Sequence, residues 1–467
     1  MLFSSPAFFL FFAIYFLIHL VVPARLRLSL IILGSTIFYG FWNPFYIWVP
    51  HALTLIAYLG ARWVVRPQGI VGRRFKLILV VVLLLAPLAF VKYGNFVYTE
   101  ILGAPFNWRE RLPEFALPLG ISFVTFTLIA YLVDVYRGRY PVERRLWLLA
   151  GLVLFFPHLI AGPILRPHDL LPQLSHPNSA LRNLRARIIF GLAIFSLGLL
   201  KKLVFADPIA EFVDNVYASG NGVSAAEYLL AIYGFSLQIY CDFSGYTDMA
   251  LGAAMALGIR LPRNFRQPYA SKSISEFWRR WHITLSSWLR DYVYIPLGGN
   301  RVGRPREFAN VVITMAIGGL WHGANWTFIL WGVIHGLAIG VSHSVSNKTS
   351  KLFESIPQWV FVLITFHFVS ATWILFRAPN MDTAWRVFTG PFVAPWGGFE
   401  GFLTNQMFAL LLLGLFLIFH RWDDHRIVRR LACRLPPIVF WSLIILSWML
   451  AITVSAGSSA KFIYFDF

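Results

Sequence analysis

The sequence predicts an all-α, polytopic membrane protein: a transmembrane helical bundle of about 11 membrane segments, re-entrant elements included, around an internal chamber. Three observations carry that expectation. Of 467 residues, 58% are hydrophobic and 13% are charged, against about 25% charged in soluble domains. Several apolar runs reach the roughly 20 residues that cross about 30 Å of hydrocarbon. The formal net charge of +19 resides in short basic stretches between those runs, where basic residues hold loops on the cytoplasmic side. A nucleic-acid surface would instead gather its basic residues on one soluble face.

The first run, 7–24, lacks the positive n-region and the cleavage site of a signal peptide, so it reads as a retained first span. Runs at 75–93, 188–206, 358–378, 406–420 and 438–455 read as further spans. Of these, 406–420 is short and needs neighbours or snorkelling side chains to cross. The stretch 62–76 holds Arg62, Arg66, Arg73, Arg74 and Lys76, and 421–434 holds Arg421, Arg426, Arg429, Arg430 and Arg434. Both read as cytoplasmic loops. The last span then carries the C-terminus to the opposite, periplasmic or exterior side. Counting back from Arg62 through two spans places the N-terminus there too.

The apolar stretch 146–165 breaks this alternation. Arg137, Arg139, Arg144 and Arg145 precede it, and Arg166, Arg182, Arg185 and Arg187 follow. Basic flanks on both sides predict a re-entrant element, and Pro157 and Gly162-Pro163 break any helix inside it. Irregular backbone at membrane depth is tolerated where it is buried in protein or lines a cavity, hence the expected chamber. There is no internal repeat and no long linker, so residues 1–467 read as one domain. Neither Cys241 nor Cys433 has a CxxC partner, which removes a disulfide framework and a zinc signature; no metal is expected.

The segment 273–294 reads SISEFWRRWHITLSSWLRDYVY. Ile274, Trp278, Trp281, Leu285, Trp288 and Tyr292 recur at helical spacing and predict one amphipathic helix. Ser273 and Glu276 have capping-box spacing at its start, and Glu276 can pair with Arg280 one turn on. Arg279, Arg280, Ser287 and Arg290 lie away from the apolar stripe, and His282 falls at the border of the two faces. Farther on, 311–341 contains no Asp, Glu, Lys or Arg, yet holds His322, Asn325 and His335 beside Trp321, Trp326 and Trp331. Polar side chains at depth face a bundle interior or a wet cavity. His335, one turn after Trp331, fits a packed histidine with a satisfied hydrogen bond. His322 differs in its small neighbours Gly318, Gly319, Gly323 and Ala324, which permit close backbone approach. For His322 and His282, the residues alone leave a packed and a proton-transferring role both open. Asp242, Ser244 and Asp248 read as an interior polar network, and Ser244 lacks the G-x-S-x-G setting of a nucleophile. Arg290 and Asp291 read either as a neighbouring ion pair or as a hold for an anionic donor.

Three stretches resemble the bacterial branch of the membrane-bound O-acyltransferases, and within it the alginate O-acetylase type. They are YCDFSGYTDMALG from Tyr240, EFWRRWHITLSSWLRDYVYIPLGGNR from Glu276, and GGLWHGANWTFILWGVIHG from Gly318. ISFVTF from Ile121 and FPHLIAGPILR from Phe156 match as well. The resemblance covers nearly the whole chain and is weakest over 340–455. It implies that the WHG histidine, His322, is catalytic, abstracting the proton of an acceptor hydroxyl, and that the RWH histidine, His282, is a second functional position. The two lie 40 residues apart, so only folding can bring them together. Trp321, Arg290, Asp291, Asn325 and Asp242 are the candidate substrate contacts within these motifs.

The chain ends KFIYFDF, a tail at 462–467 read by itself as an aromatic interface belt. It is similar to the FIY tail of this branch, which implies that Tyr464 receives the acyl group. The implied function is export of an acetyl group from cytoplasmic acetyl-CoA, across a bacterial cytoplasmic (inner) membrane, for O-acetylation of an exopolysaccharide or peptidoglycan. A periplasmic SGNH-like transferase is the implied partner, because the chain has no soluble domain large enough to grip a glycan. The alternatives are D-alanyl transfer to teichoic acids and a non-enzymatic transporter or flippase. Transporters often carry internal repeats, which are absent here.

Overall fold

The structure is a computed structural model describing residues 1–67, 69–103, 117–160, 162–176, 183–220, 222–346, 355–455 and 462–463. Among these residues every long regular element is a helix, and seven are long and apolar enough to cross a membrane. They are Pro44–Val64, Val71–Leu102, Leu184–Ala218, Trp326–His343, Gln358–Arg377, Glu400–Trp422 and Pro437–Ser455. Pro6–Val21 and Ile121–Tyr136 are apolar but shorter. The chain is thus a multi-pass membrane protein. Its last two spans leave most of their apolar surface uncovered, only 17% and 11% being buried, as suits helices solvated by lipid.

The chain forms two compact units, Met1–Leu192 with Ala250–Pro262, and Ala193–Met249 with Arg263–Phe467. The core of the first is the helix Ile121–Tyr136, buried on nearly every side. The stretch 146–165, expected to be re-entrant, forms no single spanning helix. Its helix Leu146–Leu154 has 9 residues, too few to cross, and the chain breaks at Phe155 before a single turn Phe156–Leu159. Side chains satisfy the groups freed by the break: Ser35 Oγ accepts from the Phe156 N–H at 3.0 Å, and His158 Nε2 donates to the Leu152 carbonyl at 2.8 Å.

Three expected boundaries move. The stretch 62–76 is not one loop, because a helix begins at Ile70 and carries Arg73, Arg74 and Lys76 in its first turns. Lys76 can lie there because its ammonium reaches the Trp63 carbonyl at 3.3 Å. The short run 406–420 lies largely within a 21-residue helix, Phe399–Phe419, long enough by itself to cross. The stretch 421–434 is also not a loop: His425–Arg434 is a helix, capped by Asp424, whose carboxylate accepts from the Arg426 N–H.

The second unit takes up the helix Leu184–Leu200 from Ala193, and it passes through a π-helical turn, Lys201–Ala206, into Asp207–Ala218. It packs on the long helix Ala225–Ala256 at a glycine pair. A Cβ on Gly198 would stand 2.4 Å from the Gly245 carbonyl, and one on Gly245 would stand 2.8 Å from that of Gly198. Only glycine at both positions lets the backbones meet, and the contact sets Lys201 and Lys202 against the carboxylates of the long helix.

Candidate active site

The expected single helix over 273–294 is broken at its centre. It begins with half of the expected capping box: Ser273 Oγ accepts from the Glu276 N–H at 3.2 Å, while the Glu276 carboxylate takes the Lys272 N–H and pairs with Arg280 at 2.5 Å. The helix Ile274–Arg280 then ends, Trp281 is extended, and His282 adopts a left-handed conformation with φ 41° before Ile283–Leu289 resumes. Two backbone bonds pull the chain out of the helix. The Arg266 N–H donates to the Arg280 carbonyl and the Ile283 N–H to the Asn264 carbonyl, both at 2.9 Å. Left-handed geometry at a residue with a Cβ costs on the order of 1–2 kcal/mol, and such strain gathers at functional positions. The break turns His282 from the border of a surface helix to full burial, with 0% exposure.

The His282 ring packs between Phe243 at 4.8 Å and Trp321 at 5.8 Å, centroid to centroid. Its Nδ1 lies 3.1 Å from Asn264 Oδ1, and its Nε2 has no partner among the described residues. Burial pushes its pKa down to about 3, so the ring is neutral near pH 7.

His322 is the last residue of the helix Arg304–His322, stopped by the extended Gly323. That helix pairs with Trp326–Ser346 through glycine: a Cβ on Gly319 would stand 2.1 Å from the Phe328 carbonyl. His322 is buried in a ring cage of Trp321 at 4.9 Å, Phe376 at 4.9 Å and Trp331 at 5.3 Å. The fold therefore places both motif histidines against the same indole, that of Trp321. His335 stands apart as a packed residue. Its Nδ1 accepts from Trp278 Nε1 at 3.2 Å, so its Nε2 carries the hydrogen and meets Thr372 Oγ1 at 2.9 Å.

The other candidates serve structure in part. Asn325 caps a helix by accepting from the Thr327 N–H and donates to the Pro379 carbonyl. Arg290 pairs with its neighbour Asp291 at 2.7 Å, its own side chain remaining largely exposed. Asp242 and Asp248 join a buried ionic cluster that sequence reasoning missed in extent. Lys202 bridges Asp207 and Asp242, each at 2.8 Å. Lys201 bridges Asp248 at 2.7 Å and Asp423 at 2.6 Å. His425 closes on Asp248 at 2.6 Å, and Tyr240 donates to Asp423 at 2.5 Å. Ser244 Oγ, buried on the same long helix, has no partner among the described residues. The available signal was the pair Lys201-Lys202 inside an apolar run, since ionisable groups at depth demand partners.

The chain's last described residues return to this cluster. The Ile463 N–H donates to Asp242 Oδ2 at 2.7 Å. Phe462 is fully buried, 4.2 Å from the Tyr246 ring and 6.2 Å from that of Phe243. Tyr464, expected as an acyl relay, lies outside the described residues.

Residues 146–377 match the membrane-bound O-acyltransferase family. The chain is 40% identical over 405 residues to a probable alginate O-acetylase AlgI of Azotobacter vinelandii, covering 84% of this chain and 78% of that protein. It is 37% identical over 424 residues to a peptidoglycan O-acetyltransferase of Helicobacter pylori, covering 84% and 79%. A teichoic acid D-alanyltransferase of Bacillus subtilis is more distant, 30% identical over 55% of this chain.

The chain belongs to the membrane-bound O-acyltransferase family.

As an acyltransferase of this family it carries the histidines of its WHG and RWH motifs in the matched region, and Asp242, Asn264 and the two lysines fall there too. His425, Asp423 and the tail residues Phe462 and Ile463 lie beyond it, and folding alone brings them to the ionic cluster.

Proposed function

We propose that the protein moves an acetyl group from cytoplasmic acetyl-CoA to an acceptor hydroxyl within the membrane, for O-acetylation of an extracellular polysaccharide such as an alginate-like polymer or peptidoglycan. His322 takes the proton of the hydroxyl as its oxygen attacks the thioester carbon. The C–S bond breaks, and the proton passes from the imidazole to the departing thiolate. His282 holds the reacting groups in place. Tyr464 is the first acceptor, forming a phenyl ester. Phenol has a pKa near 10, so that ester is a better acyl donor than an alkyl ester, as a relay requires. A periplasmic SGNH-like transferase then passes the acetyl group to the glycan. The protein sits in the bacterial cytoplasmic (inner) membrane, with its C-terminus toward the periplasm.

One observation carries this reading. Two buried histidines share the Trp321 indole, and the tail residue Phe462 docks on Phe243, the ring that packs on His282. A peptide tail anchored one aromatic ring from a buried imidazole is suited to offer Tyr464, two residues after Phe462, for acylation. The test uses purified full-length protein in lipid nanodiscs with acetyl-CoA. Release of free thiol and an acetylated C-terminal peptide are expected. Turnover with a D-alanyl carrier protein and none with acetyl-CoA would instead favour the D-alanyl reading.

A further inference from the structure

We infer that Asn264 is a positioning residue for acyl transfer: it locks His282 in the Nδ1–H tautomer and leaves Nε2 as a buried hydrogen-bond acceptor for an N–H or O–H of the substrate. The inference rests on the reading above that His282 lines the acyl-transfer site.

The argument starts from one obligatory donor. An asparagine amide can be placed either way round, and its neighbours must decide. The Thr284 backbone N–H can only donate, and it faces Asn264 Oδ1 at 3.2 Å. Thr284 Oγ1 meets the same atom at 2.8 Å and can donate as well. That atom is therefore the carbonyl oxygen. His282 Nδ1, at 3.1 Å from it, must supply a hydrogen. A neutral imidazole carries one N–H, so Nε2 holds a lone pair. His282 is fully buried, and this nitrogen has no partner among the described residues. A buried acceptor left unmet is costly, and a bound substrate offering a hydrogen removes that cost.

Asn264 also sets the backbone at this point. Its carbonyl accepts from the Ile283 N–H at 2.9 Å, next to the left-handed His282. One residue thus fixes both the turn that buries the ring and the tautomer of the ring. The surfaces packed on the imidazole are Phe243, Phe265 and Trp321, none of them titratable, and His322 lies against Trp321. Neither a carboxylate nor a cation contacts His282 among the described residues, in keeping with a ring that stays neutral through burial.

The direct test is nitrogen NMR of the full-length protein in nanodiscs, labelled with ¹⁵N-histidine, with H282Q identifying the His282 signals. A protonated Nδ1 and an unprotonated Nε2 are expected in the wild type. A protonated Nε2 overturns the proposal whatever the Asn264 variants do. Two variants then read the consequence. Asn264→Asp keeps the acceptor oxygen and adds a charge, so it should retain the tautomer and most of the activity. The acid limb of its kcat–pH profile should move up by about one unit or more. Asn264→Ala frees the ring and should lower kcat by about 10²-fold. A KM rise confined to the thioester places the contact on the donor, and one confined to the acceptor places it there. Wild-type kcat and both KM values in Asn264→Ala overturn the proposal. A wild-type protein that releases no thiol from acetyl-CoA sinks the donor assignment, while the tautomer measurement still decides this inference.

Discussion

The backbone N–H of Ile463 donates to the side chain of Asp242 across 221 residues of sequence, at 2.7 Å. A backbone donor near the end of the chain is thus held by a carboxylate that Lys202 also engages. Asp242→Ala removes the acceptor and one of the two carboxylates that hold Lys202. Breaking a buried pair costs about 3–5 kcal/mol, so a lower unfolding temperature in detergent is expected. The role in tail docking is read by a double-mutant cycle. Asp242→Ala and Phe462→Ala should each depress acylation, and the double variant should lose less than the two single losses combined. Additive losses would mean that Asp242 acts elsewhere.

His322→Ala should fold and insert normally, because Trp331 and Phe376 of its cage also pack on each other at 5.2 Å. Acyl transfer should fall by about 10²–10⁴-fold, the usual effect of losing a general base. Wild-type thiol release by this variant, measured in nanodiscs, would remove His322 from the mechanism.

His282→Ala should lower activity strongly, whereas His282→Gln should retain part of it by keeping a hydrogen-bonding side chain. Equal loss in both would argue for proton transfer instead of positioning. A pH effect follows from the same burial. The folded pKa near 3 lies below the unfolded value of about 6.5. Between those values the unfolded chain binds the extra proton, so stability falls as pH drops from 6.5 toward 3 and is fully present above 6.5. Thermal melts across that range should show a shallower acid loss in His282→Gln than in the wild type.

Tyr464→Phe removes one oxygen and keeps the ring. If the tail is a relay, polysaccharide acetylation stops, while protein level and membrane insertion are unchanged. If the aromatics only anchor the tail, the variant acylates at the wild-type rate. Mass spectrometry of the wild-type C-terminal peptide, trapped without the periplasmic partner, should show the ester on Tyr464.

The candidate histidines stood out because motif residues keep their spacing. His322 and His282 were both marked by their settings, and the helix cap by Ser273, which accepts from the Glu276 N–H, followed from a local pattern. The break at His282 was not legible, because its cause lies in the 264–266 segment, which competes for the backbone groups of Arg280 and Ile283. The apolar stripe over 273–294 fits a continuous helix and a broken one equally well. Asn264 carried no signal of its own, since an asparagine between basic and aromatic residues reads as a loop.

Composition and hydropathy by themselves determined that the chain lives in a membrane as a helical bundle, because burial in lipid demands long apolar helices whose backbone is satisfied internally. They also pointed to the interruption within 146–165, where the helix ends at Leu154 before a single turn Phe156–Leu159. Only the tertiary structure decided the chemistry of the interior: which carboxylate meets which lysine, where the tail docks, and which nitrogen of His282 carries its hydrogen. Those outcomes depend on partners tens to hundreds of residues away, with Asn264 18 and Ile463 221 residues from the side chains they meet. Local sequence sets the conformations a segment can adopt, and long-range hydrogen bonds and close glycine packing select among them.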